Sequence, residues 1–174
     1  FFEKEVVREQ QRIIQNFIDK PVEIIREEIV NRPVARQIDR PVTRYVDKPF
    51  VTQNFIEKDK VYVYCFWATW CAPCIQELDA INEVYEEWKS QANVEVIAVS
   101  IDDARTNKRV KPLVNGKGWE YTILMDTNQD FKRALGISNP PFTAVVKNGE
   151  IVFTQNGHTP GSENQLLEQI KALK

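Results

Sequence analysis

The chain has 174 residues, which fits one ordinary domain with an extension or two small domains. It is 43% hydrophobic and 28% charged, a composition typical of a globular protein with a packed core. The 23 basic and 25 acidic side chains leave a net charge of -2, so no basic excess favours nucleic acid or an anionic membrane surface. No apolar run approaches the roughly 18 residues of a membrane span, and three cysteines are too few for a disulfide scaffold.

The distribution of glycine and proline divides the chain in two. All six glycines lie at or beyond residue 116, whereas four of the nine prolines lie in the first 49 residues. We therefore predict a charged, periodic N-terminal arm over residues 1–49 and a folded domain over residues 50–174. Because the chain begins with Phe1 rather than Met, we expect a processed product from which any signal peptide or membrane anchor has been removed.

The predicted arm is periodic. Apolar pairs among charges over residues 2–18 predict an amphipathic helix that ends before Pro21. A phrase of Asp or Asn, a basic residue, proline and an apolar residue then recurs, with its prolines at Pro21, Pro33, Pro41 and Pro49. Between residues 30 and 50, apolar and basic side chains fall at even positions, so in an extended chain they share one face. Two interpretations remain open: an extended, partly ordered arm, or a repeat that pairs with copies of itself or with a partner strand.

In composition, residues 19–56 resemble the Val/Pro/charge repeats of alveolins, which are cytoskeletal proteins of alveolate protists. That resemblance implies a filament-forming or scaffold role for the arm. It supports one candidate function, an assembly protein that self-associates through residues 19–56. The rest of the chain would then be a passenger or a fused carrier.

A pair of cysteines follows a predicted buried strand. Residues 61–67 form an apolar, β-prone run, and after the pair Cys71 and Cys74 apolar residues recur at helical spacing. Cys71 therefore lies where a strand gives way to a helix N-terminus, whose unpaired N–H groups and dipole stabilise a thiolate. Cysteines in such C-x-x-C sites have pKa values lowered to roughly 3.5–7.5. Pro73 falls in the first helical turn, where a missing N–H costs little.

Other uses of the cysteine pair are less favoured. The sequence has no second C-x-x-C pair, and its only histidine is His158, so the second pair of ligands that a structural zinc site of Cys and His usually has is missing. A purely structural disulfide would be an unusual use of this strand–helix corner. The residues therefore favour a redox-active pair, and no metal or organic cofactor is expected beside the disulfide itself.

The remaining pattern predicts an α/β sheet with helices on both faces. Strands are predicted over residues 94–101 and 121–125, and helical segments over residues 103–115 and 128–135. The dipeptide Asn148-Gly149 predicts a two-residue hairpin between strands 142–147 and 150–155. A capping-box pattern at Ser162 and Gln165 predicts the start of a last helix.

The segment from Phe66 to Cys74 resembles the thioredoxin superfamily, and its continuation to Glu77 is similar to TlpA/ResA-type thiol-disulfide oxidoreductases. Phrases over residues 96–102, 118–121, 130–133 and 157–162 are similar to TlpA-like proteins of Bacteroidetes. The resemblance covers about residues 58–174. It implies a thioredoxin-like α/β fold, with a central mixed sheet flanked by helices, here with an extended N-terminal helix/strand arm. Because many such domains have an extra N-terminal strand, residues 42–56 are a candidate to supply one.

The resemblance also implies the roles of the site residues. Cys71 would be the attacking cysteine, Cys74 the resolving cysteine, and Glu77 the glutamate that manages protons near the resolving cysteine. A solvent-facing helical glutamate is the alternative for Glu77. The residues expected to contact substrate are Trp70, Ala72, Pro73, Pro140 and Pro141.

Three positions near the motif carry further expectations. Pro141 aligns with the superfamily's cis-proline, whose loop faces the disulfide and binds substrate backbone. Because Pro140 has no N–H, its carbonyl is the expected contact. Trp67 and Trp70 flank the site, either as gates or as packing. Cys65 occupies the position where thioredoxins carry a buried, proton-relaying Asp, so it is either a small buried hydrophobic residue or a third redox thiol.

Together, these expectations describe a thiol-disulfide oxidoreductase. The resemblance implies that it reduces protein disulfides through a mixed disulfide and is recharged by a membrane-linked thiol donor. It also implies a periplasmic or otherwise extracytoplasmic protein, tethered to a membrane before processing. Its expected partners are disulfide-bearing client proteins, and no nucleic acid.

Overall fold

A computed structural model describes residues 45–46, 57 and 59–173 of the chain. The helix predicted over residues 2–18 lies outside the described residues. So does the repeat predicted over residues 19–56, with the exception of residues 45–46. The boundary predicted between residues 49 and 50, self-association and the alveolin resemblance therefore stay predictions.

A mixed sheet of six strands forms the centre of the described region. In chain order, the strands are β1 (Tyr45–Val46), β2 (Val61–Trp67), β3 (Val94–Ser100), β4 (Thr122–Met125), β5 (Phe142–Lys147) and β6 (Glu150–Asn156). Their order across the sheet is β1-β4-β3-β2-β5-β6. The pairs among β1 to β4 are parallel, while β5 is antiparallel to β2 and β6 is antiparallel to β5. The strand that leads into the cysteine pair, β2, therefore has a neighbour on each side.

Helices pack on both faces of this sheet. They are α1 (Ala72–Gln91), a 3-10 turn (Asn107–Arg109), α2 (Val110–Lys117), α3 (Asp130–Ala134) and α4 (Ser162–Lys171). Side chains along β2 alternate between the two faces. On one face, the rings of Tyr64 and Phe66 lie 5.9 and 5.1 Å from the ring of Phe131 in α3. On the other face, Thr143 of β5, paired with Cys65, donates a hydrogen bond to Glu77 of α1. This arrangement confirms the predicted α/β class.

The elements follow from burial. Six of the seven residues of β2 are buried, as expected for a strand covered on both faces, which explains its nearly continuous apolar sequence. In α1, buried residues recur every three or four positions at Leu78, Ile81, Tyr85 and Trp88, which forms the stripe that packs on the sheet. The hairpin predicted at Asn148-Gly149 is also confirmed: both residues have positive φ, 52° and 82°, as a two-residue turn of this kind requires.

The strand β1 forms one edge of the sheet. It lies within residues 42–56, which we considered as the source of an extra N-terminal strand, and it pairs with β4.

The capping box predicted at Ser162 is wrong. Gly161, with a φ of 90°, is the N-cap, so the helix already begins at Ser162, whose hydroxyl lies 3.1 Å from Nδ1 of His158. The N–H of Gly161 is satisfied instead by the Glu163 carboxylate at 3.1 Å.

Candidate active site

The cysteine pair forms a disulfide at the N-terminus of α1. Cys71 is the N-cap residue of this helix, Pro73 lies in its first turn, and the Cα atoms of Cys71 and Cys74 are 5.3 Å apart. The N–H of Cys71 donates to the carbonyl of Ala68 at 3.0 Å, which closes a tight turn between β2 and α1. The predicted position of the pair, between a strand and a helix N-terminus, is therefore confirmed.

The two cysteines differ in exposure. Cys71 is 6% exposed and Cys74 is fully buried, so only Cys71 has a surface that another molecule reaches. Trp70, directly before it, is 57% exposed, and Ala72 and Pro73 are also exposed. Four predicted site residues therefore form one continuous stretch of chain around the accessible cysteine.

The two tryptophans that flank the motif have different environments. Trp67 is fully buried, and its ring packs edge-on against Trp119 with centroids 5.1 Å apart. Of the two interpretations for Trp67, packing is therefore the one that fits. Trp70 extends into solvent beside Cys71 and remains available to a binding partner.

The proline loop reaches the same end of the sheet. The Pro140–Pro141 peptide bond is cis, and the buried Pro141 accepts a hydrogen bond at its carbonyl from the N–H of Gly157 at 2.9 Å. Pro141 directly precedes β5, whose first residue, Phe142, pairs with Phe66 near the end of β2. The loop therefore meets the sheet where β2 gives way to the cysteine pair.

Glu77 lies inside the protein, one helical turn beyond Cys74. It is 3% exposed, and its Oε1 accepts a hydrogen bond from the hydroxyl of Thr143 at 3.1 Å. Burial raises the pKa of the Glu77 carboxyl to about 7, and the hydrogen bond from Thr143 opposes this shift. The alternative of a solvent-facing glutamate is therefore excluded. A carboxyl with a pKa near 7 can both accept and release a proton at neutral pH.

Cys65 lies on the central strand β2, near the Glu77 carboxyl. It is fully buried, and burial raises its thiol pKa well above the usual value. The nearby Glu77 charge raises that pKa further. A thiol in this environment stays protonated at neutral pH, and only a thiolate is a good nucleophile. The structure therefore favours a small buried residue over a third redox thiol at this position.

Thr143 is the site residue that sequence reasoning missed. It is fully buried, lies opposite Cys65 in the β2–β5 register and donates to Glu77. The one available signal is that a single hydroxyl interrupts the apolar run over residues 142–146. A polar side chain in a buried strand requires a hydrogen-bond partner, but the sequence does not say which one.

Replacing Thr143 with valine is expected to raise the pKa of Glu77 above 7, because the hydrogen bond that stabilises the carboxylate is lost. We expect a shift of roughly one pH unit. The measurement is the pH dependence of the unfolding free energy of the oxidised protein. Thr143→Ser, which keeps the hydroxyl, is the control and should titrate like the wild type. Equal curves for Thr143→Val and the wild type would contradict the assigned contact.

No group of three or more His, Cys, Asp or Glu side chains in the described part of the chain is arranged to hold a metal ion. None of its helices combines the length and the apolar character that crossing a membrane requires.

The sequence profile of the AhpC/TSA family matches residues 41–162. The chain belongs to the AhpC/TSA family. The matched range begins before the predicted domain boundary and includes β1 as well as the cysteine pair.

Two curated proteins are similar to part of the chain. "Thiol-disulfide oxidoreductase ResA" of Bacillus thuringiensis (strain Al Hakam) is 34% identical over 96 residues, which cover 55% of this chain and 54% of that protein. The protein of the same name from Halalkalibacterium halodurans is 33% identical over 109 residues, 62% of this chain and 58% of that protein. The chain thus spans little more than half the length of these curated relatives.

A solved structure agrees with the fold. The solution structure of an uncharacterized thioredoxin-like protein from Porphyromonas gingivalis superposes with a TM-score of 0.60 at 44% sequence identity. The similarity covers 67% of this chain and 77% of that one. The predicted thioredoxin-like fold and the resemblance to ResA-type proteins are therefore confirmed.

Proposed function

We propose that this AhpC/TSA-family protein is a thiol-disulfide oxidoreductase that reduces disulfides in client proteins. One observation carries the assignment: a helix-N-terminal disulfide lies one turn from a buried carboxyl whose pKa is about 7. The first part supplies a reactive thiolate when reduced, and the second supplies a proton acceptor where water is excluded. The activity named for the ResA relatives is of the same class.

In the first step, the Cys71 thiolate attacks one sulfur of the client disulfide. The client S–S bond breaks, a bond forms between Cys71 and the attacked sulfur, and the other client sulfur leaves as a thiolate that takes up a proton. Cys71 has this role because it is the more exposed cysteine and the N-cap of α1. The unpaired N–H groups of the helix end stabilise its negative charge.

In the second step, Cys74 gives its proton to the Glu77 carboxylate and attacks the Cys71 sulfur. The mixed disulfide breaks, the Cys71–Cys74 disulfide forms, and the client leaves with its second sulfur reduced. Cys74 is fully buried, so its proton needs an internal acceptor. Glu77, with a pKa of about 7, is suited to take this proton and later release it.

The proposed client surface surrounds Cys71. Trp70 offers an exposed ring for apolar client side chains, and the Pro140 carbonyl offers an acceptor for client backbone N–H groups. The remaining proposed contacts are Ala72, Pro73 and Pro141. A site of this kind binds the backbone around a disulfide and accepts many sequences.

We also propose that the protein acts outside the cytoplasm, in a periplasm. Each turnover leaves Cys71 and Cys74 oxidised, so a donor of two electrons and two protons is required. A membrane-linked dithiol protein is the proposed donor. The support for this part is the resemblance to TlpA/ResA-type proteins.

Redox titration tests the proposed function. The chain is equilibrated in graded dithiol and disulfide buffers, and free thiols are counted after unfolding. One thiol, Cys65, is expected in the oxidised chain and three in the reduced chain. A reversible two-electron couple near about -270 mV identifies a reductase, and one near about -120 mV an oxidant. A pair that never cycles would contradict the assignment.

A further inference from the structure

A buried carboxylate outside the proposed reaction holds the turn that carries Cys71. Asp102 is fully buried, two residues beyond the end of β3. It accepts hydrogen bonds from the backbone N–H of Thr69 at 2.8 Å, from the Thr69 hydroxyl at 2.6 Å and from the Ser100 hydroxyl at 2.8 Å. Both carboxylate oxygens are therefore used, and two of the three donors belong to one residue.

Thr69 lies between Trp70 and the end of β2. It is two residues before Cys71, inside the turn that the Cys71 N–H closes onto Ala68. The adjoining residue of the same loop, Ile101, donates its N–H to the Trp67 carbonyl at 2.8 Å. The segment 101–102 thus holds the turn at two successive points. A hydrogen bond between a carboxylate and a backbone N–H is strong and directional. Asp102 therefore fixes the conformation of the turn that ends at Cys71.

We propose that Asp102 is a positioning residue that orients the Ala68–Cys71 turn and so shifts the balance between the dithiol and disulfide forms of the cysteine pair. This inference rests on the proposed function. In the oxidised form, the Cys71–Cys74 bond itself ties the turn to α1. In the reduced form that covalent tie is absent, and the turn has more conformational freedom. By holding the turn in the conformation that places Cys71 beside Cys74, Asp102 lowers the entropy that disulfide formation costs and stabilises the disulfide form more than the dithiol form.

Two single variants test the contact from its two sides. Asp102→Asn keeps the size of the side chain but loses one acceptor oxygen. Thr69→Val keeps the shape and charge of its position but removes the hydroxyl donor. We expect the equilibrium constant for reduction by glutathione to rise about 3- to 10-fold in Asp102→Asn and about 3-fold in Thr69→Val. A tenfold rise corresponds to about 30 mV toward a more oxidising couple.

The controls separate positioning from charge and from general stability. Asp126→Asn makes the same charge change in another buried carboxylate, which accepts the N–H groups of Phe131 and Lys132 in α3. We expect Asp126→Asn to lower the unfolding free energy without moving the redox equilibrium. Thr69→Ser, which keeps the hydroxyl, should have the redox equilibrium of the wild type. The redox equilibrium of the double variant Asp102→Asn/Thr69→Val should shift no further than that of Asp102→Asn alone, because both changes break the same contact between Asp102 and Thr69.

Redox equilibrium constants of Asp102→Asn and Thr69→Val that equal the wild-type value would overturn the inference and leave the proposed function intact. An equal shift in Asp126→Asn would also overturn it, since charge alone would then explain the effect. If Asp102→Asn does not fold, the redox equilibrium constants of Thr69→Val and Thr69→Ser are compared instead, and equal values would overturn the inference. A wild-type pair that does not cycle would remove the proposed function and this inference together.

Discussion

The Cys71→Ser variant is expected to lose disulfide-reducing activity by more than about a thousandfold, to the uncatalysed background. A serine hydroxyl cannot form a mixed disulfide, and its oxygen is not ionised at neutral pH. The fully buried Cys74 cannot replace Cys71, because no client sulfur reaches it. The measurement is the rate of reduction of a protein disulfide with the reduced chain as catalyst and a dithiol as the terminal donor.

The Cys74→Ser variant should behave differently, because it retains the first step and lacks the second. We expect a mixed disulfide between Cys71 and the client to accumulate to nearly one equivalent. It would be seen as a mass increase that a reductant reverses. If Cys71→Ser accumulated this species and Cys74→Ser did not, the two roles would be reversed.

Cys65→Ala is the matched control for both cysteine variants. It removes the third thiol of the chain, which is buried and held in its protonated form. We expect nearly unchanged catalysis, with a loss of stability of about 1 kcal/mol for the small cavity. A folded Cys65→Ala protein as inactive as Cys71→Ser would show that Cys65 takes part in the redox cycle.

Replacing Glu77 with glutamine is expected to remove a pH-dependent loss of stability. The pKa of Glu77 is about 7 in the folded protein and lies near 4.5 when the group is exposed. Between these values the folded state binds more protons than the unfolded state, so stability falls as the pH rises from about 4.5 to about 7. The full difference corresponds to about 3 kcal/mol. Above pH 7 the penalty is constant, and below pH 4.5 it is absent.

The difference between the unfolding free energies of Glu77→Gln and the wild type isolates this effect. It should rise by about 3 kcal/mol, in favour of the variant, between acid and neutral pH. Measurements on the oxidised protein keep the titration of Cys71 and Cys74 out of the curve. Glu83→Gln is the control, since it makes the same chemical change on an exposed position of α1. A flat difference curve would show that Glu77 does not titrate near neutral pH.

The same variant is expected to be a poor catalyst although it is the more stable protein. Without a proton acceptor, the attack of Cys74 on the mixed disulfide should slow about a hundredfold at pH 7. Formation of the mixed disulfide by Cys71 should be unaffected. Gain of stability together with loss of turnover would distinguish a proton-transfer role from a packing role, for which both quantities fall.

The parts of the structure that sequence predicted are local in the chain. The strand over residues 61–67, the helix after Cys71 and the hairpin at Asn148-Gly149 each depend on residues within a few positions. The failure at Ser162 was also local: two N-cap residues compete there, and the left-handed conformation of Gly161 decided the start of the helix. The preference of each residue type for the N-cap position does not show which of two neighbouring residues takes that position.

The contacts that the sequence could not predict join distant residues. Thr143 meets Glu77 across 66 positions and Thr69 meets Asp102 across 33. No spacing rule connects such pairs, because their separation depends on the order of strands in the sheet. The family resemblance pointed to Glu77, but only the folded structure shows that it is buried and which hydroxyl it accepts from.

The order of the strands has a consequence for biosynthesis. The central strand β2 and the cysteines that follow it are made early, whereas its antiparallel partner β5 is made only after more than half of the domain has been polymerised. Until β5 docks, Glu77 lacks its Thr143 partner and the water-free environment that gives it a neutral pKa. The proton acceptor proposed for Cys74 is therefore completed only when the last third of the polypeptide has emerged and folded, although the cysteine pair itself is made much earlier.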